Sequence, residues 1–262
     1  RIAGVNIPQN KLVQVGLTYI YGIGDKFSNE ICKALEIPKS KRVNELTDEQ
    51  KMVIAEAQKT FFDLKNKNVT LNDEQMNLLF GQARSMNGWQ DKEVSDDMVK
   101  SIYELTKMGP TSTNCCPGRF VFIKSQEEKE KLEPALLPNN VPKVMSAPVI
   151  AIIGYDLDFS DHMTKLFPHM DVAPMYKGND EMNVSTAFRN SSLQGAYLMM
   201  VARAMGLDCG PMSGFNNQLV DETFFSNTNV KSNFLCCIGY GDSSKIFQRL
   251  PRLDFDEVCK II

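Results

Sequence analysis

Three short apolar runs, separated by longer mixed segments, constrain the fold of this 262-residue chain more than any other feature. They are FVFI at residues 120–123, PVIAIIG at 148–154 and FLCCI at 234–238. Each is far shorter than the roughly 20 residues that a membrane-spanning helix needs, and each has the length of a buried strand. With helices between them, the runs predict a mixed α and β class in which helices cover a sheet.

Helix signals fill the spaces between these runs. Asn72 with Gln75 predicts an N-cap and a helix through residue 80, and Ser95 predicts the start of a second helix that ends at Gly109. Residues 183–205 predict a long helix closed by Gly206. The segment 211–215 is interpreted as a glycine turn after that helix.

Charge divides the chain into two pieces. The net charge is −3, yet residues 1–68 hold 11 Lys/Arg and 8 Asp/Glu, and the remaining residues hold 18 and 24. Opposite signs indicate two pieces with different partners, although chance asymmetry is an alternative. The negative second piece argues against a nucleic-acid binder as a whole.

Cysteine and histidine usage narrows the class of protein further. Seven cysteines without C-x-x-C spacing, two pairs of them adjacent, favour free thiols in a reducing cytoplasm. Two histidines disfavour most zinc sites and a Ser-His-Asp enzyme. No secretory leader is recognised, so a cytoplasmic location is expected. No predicted strand is followed by the G-x-G-x-x-G motif that binds dinucleotides and opens a helix. This absence excludes a Rossmann fold.

The first 50 residues predict helices around a glycine break at Gly22 and Gly24, and Thr47 with Gln50 predicts a further helix start. The segments RIAGVNIP (1–8), LTYIYGIG (17–24), KALEIP (33–38) and ELTDEQ (45–50) closely resemble the start of the thirteenth bacterial small-subunit ribosomal protein. That resemblance implies an all-helical, RNA-binding fragment. The basic tail of that family is missing, which removes most of its phosphate-neutralising charge.

Residues 51–68 match neither neighbour and form a join. We therefore predict three segments: 1–50, the join 51–68, and a domain spanning 69–262. A chimeric N-terminus is the expectation, and a genuine fusion is the alternative.

The domain from 69 to 262 carries several polar clusters in loops, each of which alone is typical of an ordinary surface. In their order and spacing they closely resemble the nitroreductase superfamily of flavin enzymes, particularly its malonic semialdehyde reductase branch in pyrimidine degradation. The matching segments are NGW (87–89), GPTSTNC (109–115), TAFRNSS (186–192), GLDCGPMSGF (206–215), KSN (231–233) and IGYGDSSKIFQRLPRL (238–253).

This resemblance implies a three-layer α+β fold and an intertwined homodimer with FMN at its interface. The implied phosphate-binding residues are Arg84, Ser85, Asn87, Arg249 and Arg252. Many family members have a basic residue in place of Asn87, and a Gln in place of Cys116, so both positions depart from the family pattern. A buried-hydrophobe role is the alternative to redox chemistry for both cysteine pairs.

The remaining implied residues surround the flavin ring. Lys143 and Asn140 would stabilise negative charge at N1 and O2. Ser213 and Gly214 would offer a backbone N–H near N5. The segment that reaches the flavin from the partner subunit contains Pro110, Thr111, Ser112 and Asn114.

The resemblance implies NADPH or NADH as hydride donor and a small carbonyl acid as acceptor, with malonic semialdehyde reduced to 3-hydroxypropionate. Arg189 is the candidate for binding the substrate carboxylate, and a salt bridge on the helix face is the alternative. A nitroaromatic or quinone reductase is the second hypothesis. An RNA-binding role for residues 1–50 is the third, and belongs to another class of function.

Overall fold

The computed structural model describes residues 7–19, 24–55 and 71–262. The chain divides into two compact units, Arg1–Leu71 and Asn72–Ile262. No helix among these described residues is long and apolar enough to span a membrane.

The N-terminal unit is helical where it is described. Its helices are α1 (Val13–Leu17), α2 (Asp25–Ala34) and α3 (residues 48–55). Thr47 caps α3 as predicted, because the Gln50 N–H donates to Thr47 Oγ1 at 3.2 Å and the Thr47 N–H donates to Gln50 Oε1 at 3.3 Å. Gly24 precedes α2, whereas Gly22 and the join from 56 to 68 lie outside the described residues. The apolar core of this unit contains Ile7, Val13, Leu17, Ile31, Ile37, Val43, Leu46 and Ile54.

The second unit combines a sheet with helices on both faces. Its helices are α4 (Asp73–Met76), α5 (Asp96–Thr106), α6 (Gln126–Leu132), α7 (Val141–Met145), α8 (Met163–Leu166), α9 (Ala173–Tyr176), α10 (Asp180–Ala204), α11 (Asn217–Phe224) and α12 (Phe255–Val258). Its strands are β1 (Gly118–Ile123), β2 (Val149–Asp156), β3 (Asp208–Met212) and β4 (Val230–Gly239). The predicted caps Asn72 and Ser95 are confirmed, since their side chains accept from the N–H groups of Gln75 and Met98.

The four strands form one antiparallel sheet in the order β1-β2-β4-β3. Successive side chains of a strand point to opposite faces, and both faces of β2 and β4 are buried. Ala151 and Cys236 pack with Leu198 of α10 on one face, where α5 also packs. Ile152 and Cys237 pack on the other face with residues of α6, α7 and α11. The adjacent cysteines therefore belong to two separate cores.

The structure contains a strand, β3, that sequence reasoning missed. Pro211 and Met212, predicted as part of a turn, complete strand β3, in which Pro211 pairs with Cys236. Proline is tolerated there because β3 is an edge strand and its outer side has no ladder partner at that position. The long helix also begins earlier than predicted, at Asp180, because the Asn179 side chain caps it.

Candidate active site

A pocket of about 450 Å³ lies beside β3 and gathers an unusual set of cations. Among the residues that line it, all within the described second unit, there are four arginines and no carboxylate. The lining comprises Leu79, Phe80, Ala83, Arg84, Ser85, Asn87, Arg203, Phe247, Gln248, Arg249, Leu250 and Arg252. The predicted phosphate residues Arg84, Ser85, Asn87, Arg249 and Arg252 thus lie around one cavity.

Backbone pairing at the outer edge of β3 brings these distant segments together. Ser85 forms a parallel bridge with Cys209, and the Met86 N–H donates to the Cys209 carbonyl at 3.0 Å. The Arg84 guanidinium donates to the Phe247 carbonyl, which ties the C-terminal segment to this edge.

The C-terminal arginines also donate to backbone carbonyls. Arg249 Nη2 donates to Gly81 O at 2.6 Å and to Ala83 O at 3.0 Å. Arg252 Nη1 donates to the carbonyls of the two preceding leucine and proline residues, each at 3.0 Å. Guanidinium groups are well suited to phosphate because their planar donors can bind two oxygens at once. The pocket can therefore hold a phosphate.

A buried lysine adjoins this pocket across β3. Lys143 is only 7% exposed, and its Nζ donates to the Pro211 carbonyl at a long 3.4 Å. Burial lowers the pKa of Lys143, although the nearby Cys237 and Cys236 thiols oppose that shift. Gly210 allows this approach, because a Cβ there would lie 2.6 Å from Lys143 Cε and 2.7 Å from Met86 O. In the described residues no carboxylate forms a salt bridge with Lys143, so an anionic ligand could.

Asn140 and Gly214, both assigned to the flavin by the resemblance, contact each other at this edge. Asn140 Nδ2 donates to the Gly214 carbonyl at 2.9 Å, and the Leu137 N–H donates to the same oxygen at 3.0 Å. A Cβ at position 214 would lie 2.6 Å from Asn140 Nδ2, so glycine is required for this packing. Ser213 precedes it in an exposed turn. Lys143, Asn140, Ser213 and Gly214, which the resemblance assigns to the surroundings of the flavin ring, are thus near neighbours in the structure.

The segment 110–117 lies elsewhere, before β1 at the opposite edge of the sheet. Three strand spacings of about 4.8 Å separate the two edge strands by roughly 14 Å. The Ser112 N–H donates to buried Asn190 Oδ1 at 2.8 Å, and Asn114 Nδ2 donates to Leu166 O at 2.8 Å. Thr111 Oγ1 accepts from the Cys116 N–H at 3.1 Å, while Pro110 is exposed.

The same segment has an unusual backbone. Thr113, Asn114 and Cys116 have φ values of 48°, 54° and 40°. Left-handed conformations cost non-glycine residues energy, and such positions cluster at functional sites. The Thr113 hydroxyl lies 3.1 Å from the hydroxyl of buried Tyr176, which helps to hold the segment in place.

Arg189 lies on α10 next to Asn190 and is exposed. Within the described residues no salt bridge involves Arg189, so the alternative of a helix-face ion pair finds no support there. The cysteine pairs are mostly buried: burial raises the pKa of Cys115 to about 11 and of Cys237 to about 12. These thiols stay protonated near neutral pH, which favours the packing role.

Sequence reasoning did not single out Arg203. It lies in the last turn of α10, more than 100 residues from Arg84 along the chain, and only the turn into β3 brings the two together. Arginine is common at helix C-termini because its positive charge interacts favourably with the helix dipole. No sequence signal therefore distinguished Arg203 from such an arginine.

Comparison with known proteins decides the family. The profile described as the nitroreductase family matches residues 82–241. A protein of Burkholderia lata with the provisional name NADH dehydrogenase/NAD(P)H nitroreductase is 52% identical over 192 residues, which cover 73% of this chain and 98% of that protein. HadB of Ralstonia pickettii, provisionally named in the same way, is 53% identical over 186 residues, or 70% of this chain and 95% of HadB. The chain belongs to the nitroreductase family.

Solved structures agree on the fold of this nitroreductase unit. A nitroreductase from Exiguobacterium sibiricum, in complex with FMN, has a TM-score of 0.66 at 23% identity and covers 74% of this chain and 99% of that one. An NAD(P)H:FMN oxidoreductase from Staphylococcus epidermidis has a TM-score of 0.66 at 20% identity, covering 75% and 99%. The predicted α+β nitroreductase fold is confirmed.

The N-terminal resemblance is also confirmed. The profile described as ribosomal protein S13/S18 matches residues 1–105, further along the chain than the 50 residues that sequence motifs indicated. The two profile matches overlap between 82 and 105.

Proposed function

We propose that residues 72–262 form an FMN-dependent oxidoreductase that takes hydride from NAD(P)H and reduces a small carbonyl acid such as malonic semialdehyde. The observation that carries the proposal is the buried ammonium of Lys143, which lies beside an arginine-lined pocket and, in the described part of the chain, donates to one carbonyl at 3.4 Å and to no carboxylate. Burying a cation without a counter-charge is costly. An anionic ligand with a phosphate and an anionic ring edge would supply both missing partners.

The residues present fit FMN. Arg84, Arg249 and Arg252 would bind its phosphate, with Ser85 and Asn87 as further polar contacts. Lys143 and Asn140 would lie at the ring edge where reduction places negative charge, and the Ser213–Gly214 backbone would lie close to the ring. FMN, when bound, supplies the hydride chemistry between NAD(P)H and the acceptor.

The protein contributes position and electrostatics in this proposal. Lys143 holds a fixed positive charge in a buried site, where its interaction with an anion is stronger than in water. Asn140 Nδ2 donates a hydrogen bond to the Gly214 carbonyl at 2.9 Å, and this bond fixes the turn after β3. A rigid turn gives the substrate one approach geometry.

In this proposal the site is built from two copies of the chain. The cationic edge at β3 and the segment 110–117 at β1 are on opposite edges of the sheet, roughly 14 Å apart within one chain. A homodimer with twofold symmetry can bring the β1 edge of one copy to the β3 edge of the other. Pro110, Thr111, Ser112 and Asn114 would then contact the ligand from the partner.

Exposed apolar side chains support the homodimer. A helix that is apolar on several sides is normally buried, yet α10 and its surroundings expose many large apolar residues. They include Leu105, Met108, Phe188, Leu193, Tyr197, Phe247, Leu250 and Leu253. Coverage by a second copy would remove this surface from water.

Arg189 is our candidate for the substrate carboxylate. It is exposed on α10 beside Asn190, which holds Ser112, so it would reach the site together with the 110–117 segment. In Arg189→Ala, the KM for malonic semialdehyde should rise about tenfold, while the rate of reduction by NAD(P)H stays the same. An unchanged KM would reject this role.

Reduction of nitroaromatic compounds or quinones is the second candidate, and the names of the relatives in Burkholderia lata and Ralstonia pickettii favour it. The test compares kcat/KM for malonic semialdehyde with that for a nitrofuran in the same preparation. For residues 1–50, the ribosomal profile match favours RNA binding. Binding of a small-subunit RNA fragment by the full chain would test it.

The visible absorption spectrum of the purified full chain tests the proposal most directly. A bound-flavin spectrum that bleaches when NADPH or NADH is added without oxygen is the expected result. A colourless protein that takes up no added FMN would overturn the proposal.

A further inference from the structure

Arg203 is the one arginine of the described pocket that no sequence motif assigned, and its surroundings differ from those of the others. Its Nε atom is buried and, within the described part of the chain, has no hydrogen-bond partner. Arg84, Arg249 and Arg252 all donate to backbone carbonyls. A buried donor left unpaired is costly, so such groups normally have a ligand or an ordered water as partner.

We propose that Arg203 binds the phosphate of the flavin mononucleotide and sets the preference of the site for a phosphomonoester dianion. The inference rests on the proposed function and adds a residue from α10 to it. Position 87, in the same pocket, carries a neutral asparagine. Arg203 therefore adds to the charge of Arg84 a second positive charge, which position 87 does not supply.

The turn between α10 and β3 gives Arg203 its place. The helix ends at Ala204, Gly206 adopts a positive φ of 81°, and β3 begins at Asp208. Because Ser85 pairs with Cys209, the last turn of α10 and the segment 84–87 face the same cavity. Among the described residues Arg203 forms no salt bridge with the nearby Asp208, whose Oδ2 accepts from the Gly241 N–H at 3.0 Å.

A structural role for Arg203 makes a different prediction from a phosphate-binding role. An arginine at a helix C-terminus stabilises the helix through its dipole, and its loss would then lower thermal stability and weaken all ligands alike. A phosphate-binding arginine discriminates between FMN and riboflavin, which share the ring and differ by the phosphate.

The experiment measures the Kd of FMN and of riboflavin by flavin fluorescence with the full chain, stripped of bound flavin. In Arg203→Gln, the Kd of FMN should rise about tenfold or more, whereas that of riboflavin should change less than about twofold. Arg203→Lys should recover part of the FMN affinity. Lys107→Gln, which removes an exposed charge at the end of α5, is the matched control and should change neither Kd.

Competition by inorganic phosphate gives a second reading. Phosphate should weaken FMN binding to the unsubstituted protein more than to Arg203→Gln. Equal losses of FMN and riboflavin affinity in Arg203→Gln, or no loss of either, would overturn the inference while leaving the proposed function intact. If the unsubstituted protein binds neither flavin, the proposed function fails, and the inference fails with it.

Discussion

At the β3 edge of the sheet the second unit collects positive charge, whereas at the β1 edge it presents a polar segment with a strained backbone. The β3 edge holds Lys143 and the arginine pocket, whose cations form no salt bridge with any residue that the structure describes. At the β1 edge, Ser112 and Asn114 form hydrogen bonds with Asn190 and Leu166. The first edge is electrostatically incomplete and the second is geometrically fixed. The proposed two-copy site would combine these two complementary halves.

The largest expected effect comes from Lys143→Met, which removes the buried charge at the β3 edge. Reduction by NAD(P)H should slow at least about 100-fold, because the group that stabilises developing negative charge is lost. The unfolding free energy of the flavin-free protein should stay equal or rise by about 1–2 kcal/mol, since a poorly compensated buried charge is removed. Stopped-flow absorbance and thermal denaturation measure the two effects.

Lys129→Met is the matched control for that variant. Lys129 is equally buried at 7% exposure, and its Nζ donates to the Ala147 carbonyl at 2.7 Å, away from the pocket. Burial lowers its pKa as well. A comparable slowing in both variants would show that the β3 edge has no special role.

Mixed dimers test whether the two edges act in different copies. Ser112→Trp should block the β1 half of the site, and Lys143→Met should disable the β3 half. Co-expressed variants should regain about a quarter of normal activity, because a twofold dimer with one copy of each has one site free of both changes. If both edges served the same copy, every site would carry a change and no activity would return.

A smaller effect is expected from loosening the β1 edge. Asn190→Ala removes the acceptor for the Ser112 N–H and should raise the FMN Kd about threefold to tenfold, with a stability loss of about 1–3 kcal/mol. Asn183→Ala is the control on the same helix, where the amide donates to Leu157 O at 2.7 Å. Equal effects on FMN binding in the two variants would contradict a positioning role for Asn190.

The smallest effect is a pH dependence at the β3 edge. Because burial lowers the pKa of Lys143, its ammonium is lost at a lower pH than in an ordinary lysine. Reduction by NAD(P)H should therefore decline as pH rises through that lowered pKa. Between the folded and the unfolded pKa the unfolded chain binds more protons, so flavin-free stability should rise with pH. Both trends should be absent from Lys143→Met in rate and denaturation measurements against pH.

Local signals predicted helices α1 to α5, helix α10 and three of the strands, but none of the other helices. Side-chain caps such as Asn72, Ser95 and Thr47 act within three residues, so sequence reveals them directly. Strand β3 was missed because Gly210 and Pro211 resemble a turn, and only pairing with β4 makes them a strand.

The residues of the candidate site were predicted from the resemblance to the nitroreductase family. The structure adds contacts between distant segments that this resemblance did not reveal. The structure places Lys143 and Gly214 at the same edge of the sheet, and their contact with a flavin stays a prediction. The sequence prediction did not include Arg203, because its approach to Arg84 depends on the long-range bridge between Ser85 and Cys209. Contacts between segments more than 100 residues apart leave no local pattern.

The proline in β3 also bears on aggregation. An exposed strand edge is a template on which another chain can add a strand. At this edge the Cys209 carbonyl is occupied by the Met86 N–H, the Pro211 carbonyl by Lys143, and Pro211 has no N–H to offer. The same atoms that shape the candidate site thus leave the β3 edge few free backbone groups on which another chain could add a strand.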